Sequence, residues 1–138
     1  MTLKLHHDVS GDDFTRAGEA SSQIKNKLKQ LGISPEAVRR VAIALYEGEI
    51  NMVIHAGGGV IDVEVQPELI TMVLKDNGPG IADVNKAMEE GYSTASENIR
   101  SLGFGAGMGL PNMKKCSDEM NIETEIGKGT TITMKINL

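Results

Sequence analysis

The chain has no tryptophan and few other aromatic residues, which together make up 3% of its 138 residues. A surface that stacks on single-stranded bases is built from aromatic side chains, so the composition argues against one. The formal net charge of −5 also lacks the excess of lysine and arginine that a nucleic-acid partner requires. We therefore expect no nucleic-acid binding.

Cysteine is also scarce, because Cys116 is the only one and cannot form an internal disulfide. This suits a reducing cytoplasm. Cys116 lies among apolar positions of a predicted helix, where packing is favoured over reactivity. No apolar run approaches the roughly 18 residues of a membrane span, and residues 1–8 lack the apolar core of a signal peptide. We expect a cytoplasmic protein without membrane contact.

The bulk composition is that of an ordinary globular protein, with 40% hydrophobic and 24% charged residues. A chain of 138 residues is long enough for one hydrophobic core. No repeat, low-complexity tract or linker interrupts it. We therefore predict a single domain over residues 1–138.

Two amphipathic helices are predicted in the first half of the chain. Asp12 and Asp13 suit the cap and first turn of the first helix, and Gly32 suits its end. Ser34 is the predicted cap of the second, which has proline at its first position. That helix should run to about residue 56, where three consecutive glycines break it.

Alternating apolar and polar residues predict five strands. They cover residues 2–7, 61–65, 70–75, 122–126 and 132–136. The second and third strands form a predicted hairpin, and so do the last two. Between these hairpins, residues 83–90 favour a short helix and residues 110–118 a second one. The order β-α-α-β-β-α-α-β-β predicts an α+β fold with helices on one face of a largely antiparallel sheet.

A glycine-rich stretch at residues 103–109 precedes the last predicted helix, in which Pro111 suits the first turn. Glycine lets the backbone approach a ligand closely. The N-terminus of the helix offers free N–H groups and partial positive charge, which together favour phosphate. A flexible loop before a helix explains this stretch equally well on its own.

Glu47 and Asn51 are four residues apart, so they share one face of the second helix. Asparagine oxygen can bind Mg²⁺, and glutamate can orient or deprotonate an attacking hydroxyl group or water. An exposed polar helix face is the alternative. Gly48 weakens the helix by about 1 kcal/mol relative to alanine, which suggests a close approach there. Glu49 faces elsewhere, and we expect it to be solvated.

Asp76 follows a predicted buried strand and opens the turn at residues 76–80. A partly buried carboxylate needs a hydrogen-bond donor, and the exocyclic amine of adenine would serve. The glycines of this turn would let a flat ring lie against the backbone. An ordinary turn remains the alternative. Thr130 could support Asp76 through its hydroxyl group or a water, or could simply begin a strand.

In chain order these features are Glu-x-x-x-Asn, Asp-x-Gly-x-Gly, Gly-x-Gly-x-Gly-Leu and Gly-x-Gly-Thr. The set resembles the nucleotide-binding boxes of the GHKL ATPases, which include gyrase, MutL and histidine kinases. It spans about residues 38–136. Residues 80–84 and 90–94 also resemble the anti-sigma-factor and switch-protein serine kinases. The resemblance implies a two-layer sandwich of the Bergerat type that uses ATP and Mg²⁺.

The functional roles of the family carry over to the matching positions. Glu47 resembles the catalytic acid/base carboxylate, Asn51 the Mg²⁺ ligand and Asp76 the adenine reader. The other matching residues are Gly78, Gly80 and Thr130 around the adenine, and Gly105, Gly107, Gly109 and Leu110 around the triphosphate. Residues 81–104 or so would form a lid over the nucleotide.

The resemblance implies an ATP-dependent protein-serine kinase that acts on a small STAS-domain partner. A sigma factor is a further partner that the family implies, and a homodimer is compatible with the sequence. A nucleotide-gated binding module with little phosphotransfer remains the alternative. An orphan histidine-kinase domain is disfavoured, because the sequence shows no helical hairpin that carries an acceptor histidine. The Glu47-Gly48-Glu49 run departs from the family pattern and leaves the choice of partner and the rate of transfer open.

Overall fold

The computed structural model describes residues 2–11, 16–81, 84, 88 and 109–138. The strands are β1 (Leu3–Ser10), β2 (Gly58–Val65), β3 (Leu69–Asp76), β4 (Glu119–Glu125) and β5 (Gly129–Asn137). The helices are α1 (Glu19–Gln30), α2 (Pro35–Asn51) and α3 (Gly109–Cys116), and a π-helical turn at Met52–Ala56 continues α2. The predicted α+β class is confirmed.

The five strands form one sheet in the order β1-β2-β3-β5-β4, and each neighbouring pair is antiparallel. Both predicted hairpins, β2–β3 and β4–β5, are present. Because β3 and β5 are neighbours and run antiparallel, the end of β3 lies beside the start of β5. Asp76 is thereby paired in register with Thr130, although the two are far apart in sequence.

The helices cover one face of the sheet. Side chains at alternate strand positions are buried against them, among them Ile61, Val63, Ile70, Met72, Leu74, Ile132, Met134 and Ile136. From the helices, Ile24, Leu28, Val41 and Leu45 complete this core. The intervening strand residues are more exposed. One of them, Asp62, accepts a 2.5 Å hydrogen bond from His6 on the neighbouring strand. This two-layer arrangement follows from the period-two patterning of the strands.

The predicted start of the first helix is wrong. That helix begins at Glu19, after Gly18, whose φ of 94° places it in the left-handed region. The expected caps Asp12 and Asp13 lie outside the described residues. The start of α2 is confirmed, since the Ala37 amide donates to the Ser34 hydroxyl group at 3.3 Å, as expected of an N-cap.

Other predicted features fall wholly or mainly outside the described residues. They are the short helix at residues 83–90, most of the lid at residues 81–104, and Gly105 and Gly107 of the glycine-rich stretch. The helix predicted at residues 110–118 is present as α3, one residue earlier at its start and two residues shorter at its end.

Candidate functional site

Glu47 and Asn51 face α3 from the neighbouring helix α2. The Asn112 side-chain amide donates to Glu47 Oε1 at 3.4 Å. A Cβ atom at Gly109 would lie 2.9 Å from Asn51 Nδ2 and 3.1 Å from its Oδ1. The two helices therefore run antiparallel here. These contacts bring the predicted catalytic face of α2 against the first turn of α3. That turn contains Gly109 and Leu110, the part of the glycine-rich motif that the structure describes.

Gly48 permits this close packing. A Cβ atom there would lie 2.1 Å from Leu74 Cδ2 and 3.2 Å from Met113 Cε. Both neighbours are almost fully buried. The close approach suggested by a glycine in mid-helix is therefore found, and it is made by side chains of β3 and α3. Leu110 belongs to the same core through its buried side chain, and its backbone forms part of the first turn of α3.

Glu49 is not solvated, contrary to the sequence-based expectation. It is only 2% exposed, and its carboxylate accepts hydrogen bonds from the start of α1. The amides of Gly18, Ala20 and Ser21 donate to it at 2.8, 3.3 and 2.9 Å. A carboxylate suits this place because the first amides of a helix are unpaired and carry partial positive charge. Sequence reasoning missed this role because the capping residue comes from another helix.

Arg40 holds the opposite end of α3. Its Nε donates to the Cys116 carbonyl oxygen at 3.0 Å, and its Nη2 lies 3.2 Å from Asp118 Oδ1. The Asn137 amide donates to Asp118 Oδ2 at 2.7 Å. This amide, together with Arg40, holds the pKa of the Asp118 carboxyl group below its usual value. Helix α3 is thus anchored to α2 at both of its ends.

Asp76 uses one carboxylate oxygen to shape the backbone around it. Its Oδ1 accepts the amide of Gly78 at 2.9 Å and that of Thr130 at 3.2 Å. Within the described part of the chain, the hydrogen bonds to this side chain all reach Oδ1, which leaves Oδ2 as an acceptor. The predicted support from Thr130 therefore comes through its backbone amide.

The Thr130 hydroxyl group bonds instead to Thr124, a residue that sequence reasoning did not single out. Their Oγ1 atoms are 2.9 Å apart, and the Ile81 amide donates to Thr124 Oγ1 at 2.9 Å. Thr124 is paired in register with Thr130, which is paired with Asp76. The three side chains form a row across β4, β5 and β3. Only the strand order β3-β5-β4 could have revealed this row.

Glycines let three chain segments meet around Asp76. A Cβ atom at Gly129, where φ is 111°, would lie 2.1 Å from the Asp76 carbonyl oxygen. One at Gly80, where φ is 82°, would lie 2.6 Å from the Glu125 carbonyl oxygen. One at Gly78 would lie 2.7 Å from Ala56. The turn after β3 thus packs against both the β4–β5 hairpin and the π-helical turn that follows Asn51.

A model of the histidine kinase-like ATPase domain family matches residues 12–136, which is most of the chain. The chain therefore belongs to this family. Within the ranges described, none of the helices has the length and apolar character needed to cross a bilayer.

Two curated relatives are similar to most or all of the chain. The chain is 33% identical to the serine/threonine-protein kinase RsbT of Bacillus subtilis, over 78% of each chain. It is 34% identical to the anti-sigma F factor of Clostridium novyi, over 100% of this chain and 94% of that protein. These similarities agree with the resemblance drawn from the sequence motifs.

Solved structures show the same fold. The chain superposes on a crystal structure of the RsbU and RsbW domains of a Mycobacterium tuberculosis protein with a TM-score of 0.65 and 17% identity. The match covers 96% of this chain and 32% of that one. The mycobacterial sensor histidine kinase MprB gives a TM-score of 0.55 at 14% identity, over 98% and 97% of the two chains.

Proposed function

We propose that this chain is an ATP-dependent protein-serine kinase that phosphorylates a small STAS-domain regulatory protein. The observation that carries the proposal is the arrangement of α2. Glu47 and Asn51 face the first turn of α3, while the turn that follows Asp76, the last residue of β3, packs against the π-helical continuation of α2. A carboxylate, a carboxamide and a helix N-terminus thereby line one end of the helix layer. The kinase RsbT and the anti-sigma F factors are relatives of the chain.

The described residues fit a nucleotide. Within these residues, Asp76 Oδ2 is free to accept from the amino group of adenine. Gly109 brings the first turn of α3 so close to Asn51 that a Cβ atom would not fit between them. The first turn of α3 offers backbone N–H groups and partial positive charge to an anion. Asn51 Oδ1 is a suitable ligand for Mg²⁺, which favours oxygen. Gly105 and Gly107 would complete the phosphate cradle.

When bound, ATP and Mg²⁺ supply the γ-phosphoryl group and neutralise its charge. The chain itself positions the reactants, as is typical of phosphoryl transfer. Glu47 accepts or orients the proton of the serine hydroxyl group of the partner. Asn112 restrains the Glu47 carboxylate through its amide. Asn51 and the amides of α3 hold the phosphate end, and Asp76 holds the base.

The partner is proposed from the chemistry of the family. The family resemblance implies a STAS-domain protein as the partner whose serine accepts the phosphoryl group. The similarity to proteins named anti-sigma F factor supports this choice, because it extends over nearly the whole chain. We propose a sigma factor as the second partner, bound in a way that nucleotide controls. We also propose a homodimer as the oligomeric state to be tested, for instance by light scattering.

The proposed function is tested with γ-labelled ATP and Mg²⁺ against a panel of STAS-domain proteins from the same source. Label on a serine of one partner is the expected result. Glu47→Ala should abolish the label and keep ATP binding. Glu36→Ala, at the exposed start of α2, is the matched control and should keep both.

Two outcomes would revise the proposal. If Glu47→Ala loses binding and transfer equally, Glu47 is not the acid/base residue. If no partner is labelled while ATP binds tightly, the chain is a nucleotide-gated binding module. Copurification with a sigma factor would then identify the protein that it holds.

A further inference from the structure

We propose that Thr124 is a positioning residue of the nucleotide site, and that it sets the preference for a 6-amino purine over a 6-oxo purine. This inference rests on the nucleotide binding proposed above. It concerns a residue outside the four sequence motifs. Thr124 acts through Thr130 and through the turn that follows Asp76, and it need not touch the nucleotide itself.

The Thr124 hydroxyl group joins three segments. It accepts the Ile81 amide at 2.9 Å, lies 2.9 Å from Thr130 Oγ1 and lies 3.3 Å from the Gly129 carbonyl oxygen. Ile81 lies in the turn after β3, and Gly129 and Thr130 are the first two residues of β5, so the hydroxyl group connects both segments to its own strand, β4. Replacing this hydroxyl group would release all three contacts together.

One proton assignment makes every one of these contacts a hydrogen bond. A hydroxyl group donates one proton and can accept two. The Gly129 carbonyl oxygen can only accept, so the Thr124 proton is donated to it. Thr124 Oγ1 then accepts from both the Ile81 amide and the Thr130 hydroxyl group. The Thr130 proton is thereby directed toward Thr124.

This assignment determines what the row of side chains offers to a base. With its proton directed to Thr124, Thr130 Oγ1 has only acceptor capacity left. Asp76 Oδ2 is also an acceptor. Two neighbouring acceptor oxygens can pair with the amino group at position 6 of adenine. They repel the oxygen that hypoxanthine carries at the same position, because neither these acceptors nor the 6-oxo oxygen has a proton to donate.

Loss of the Thr124 hydroxyl group would free the Thr130 proton to point toward the base. Thr130 could then donate to the 6-oxo group, either directly or through a water. The turn at residues 77–81 would also lose the bond from its last amide. Both changes reduce the advantage of ATP over inosine triphosphate.

The test compares equilibrium binding of ATP and inosine triphosphate to the full chain and to the variant Thr124→Val. We expect the ratio of the two affinities to fall about tenfold, the effect of about one net hydrogen bond. Thr124→Ser keeps the hydroxyl group and should restore the ratio. Thr133→Val is the matched control, because Thr133 is a partly exposed β5 residue on the opposite face of the sheet.

An unchanged ratio in Thr124→Val, or an equal fall in Thr133→Val, would overturn the inference. A wild-type chain that binds both nucleotides equally would overturn it while leaving the proposed kinase function intact. A wild-type chain that binds neither would overturn both. If Thr124→Val does not fold, NMR of the wild type decides. The Thr130 hydroxyl proton should be observable and close to Thr124, and rapid exchange of this proton with solvent would contradict the assignment.

Discussion

Glu47 and Glu49 lie two residues apart on α2, yet their carboxylates have unrelated surroundings. Glu47 is half-buried beside Asn112 of α3, whereas Glu49 is buried and accepts three backbone amides at the start of α1. Two residues correspond to about 200° of rotation around a helix, so they face opposite sides. The proposed catalytic side chain is therefore held by a helix whose far side is attached to α1.

Replacing Glu49 should destabilise the protein without removing an atom that contacts nucleotide. Glu49→Gln keeps the shape but brings an amide group against backbone donors, and it removes the charge that favours the helix N-terminus. We expect a loss of about 2–3 kcal/mol, as for charged hydrogen bonds. Urea denaturation measures it. Glu68→Gln, at an exposed turn position, should change little, and an equal loss there would contradict the capping role.

Gly48→Ala should destabilise the protein although alanine favours helices. The new methyl group would overlap Leu74 Cδ2, because an ideal Cβ atom at position 48 lies 2.1 Å from that carbon. We expect a net cost of about 1–3 kcal/mol from overpacking. A double-mutant cycle with Leu74→Ala checks the cause. The second change should relieve part of the cost of the first, and strictly additive effects would indicate another origin.

Asn112→Ala should slow phosphotransfer and leave ATP affinity unchanged. The Asn112 amide donates to Glu47 Oε1 and so orients its carboxylate. If losing this hydrogen bond raises the activation free energy by about 1 kcal/mol, the rate falls about fivefold. Asn112→Asp removes the amide donor and also places a like charge beside Glu47, so it should slow transfer at least as much as Asn112→Ala. An equal loss of ATP affinity and transfer rate in both variants would point to a purely structural role.

His6 should make stability depend on pH. Hydrogen bonds to Asp62 and Asp8 raise its pKa above the usual 6.5. The charged form is therefore favoured by folding, so its contribution is complete below pH 6.5 and is lost as pH rises through the higher folded pKa. Melting temperatures of wild type and His6→Gln should differ more at about pH 5.5 than at about pH 8.5. A difference that grows with pH would contradict this assignment.

Much of the fold follows from local patterns. The period-two alternation in β2, β3 and β5 and the Ser34-Pro35 start of α2 depend on neighbouring residues, so the sequence alone predicted them. The start of α1 was predicted wrongly. Its cap is the carboxylate of Glu49, about thirty positions along the chain, and no local signal marks such a partner.

The sequence by itself determined which groups could carry the chemistry, because the residue types and their spacing limit what each motif can do. Glu47 and Asn51 share a helix face by virtue of their spacing alone. Tertiary structure decided how the motifs meet. The strand order β3-β5-β4 places Asp76, Thr130 and Thr124 in one row, and the antiparallel packing of α2 and α3 places Asn112 beside Glu47. These contacts depend on how the sheet and helices pack, which spacing along the chain does not specify.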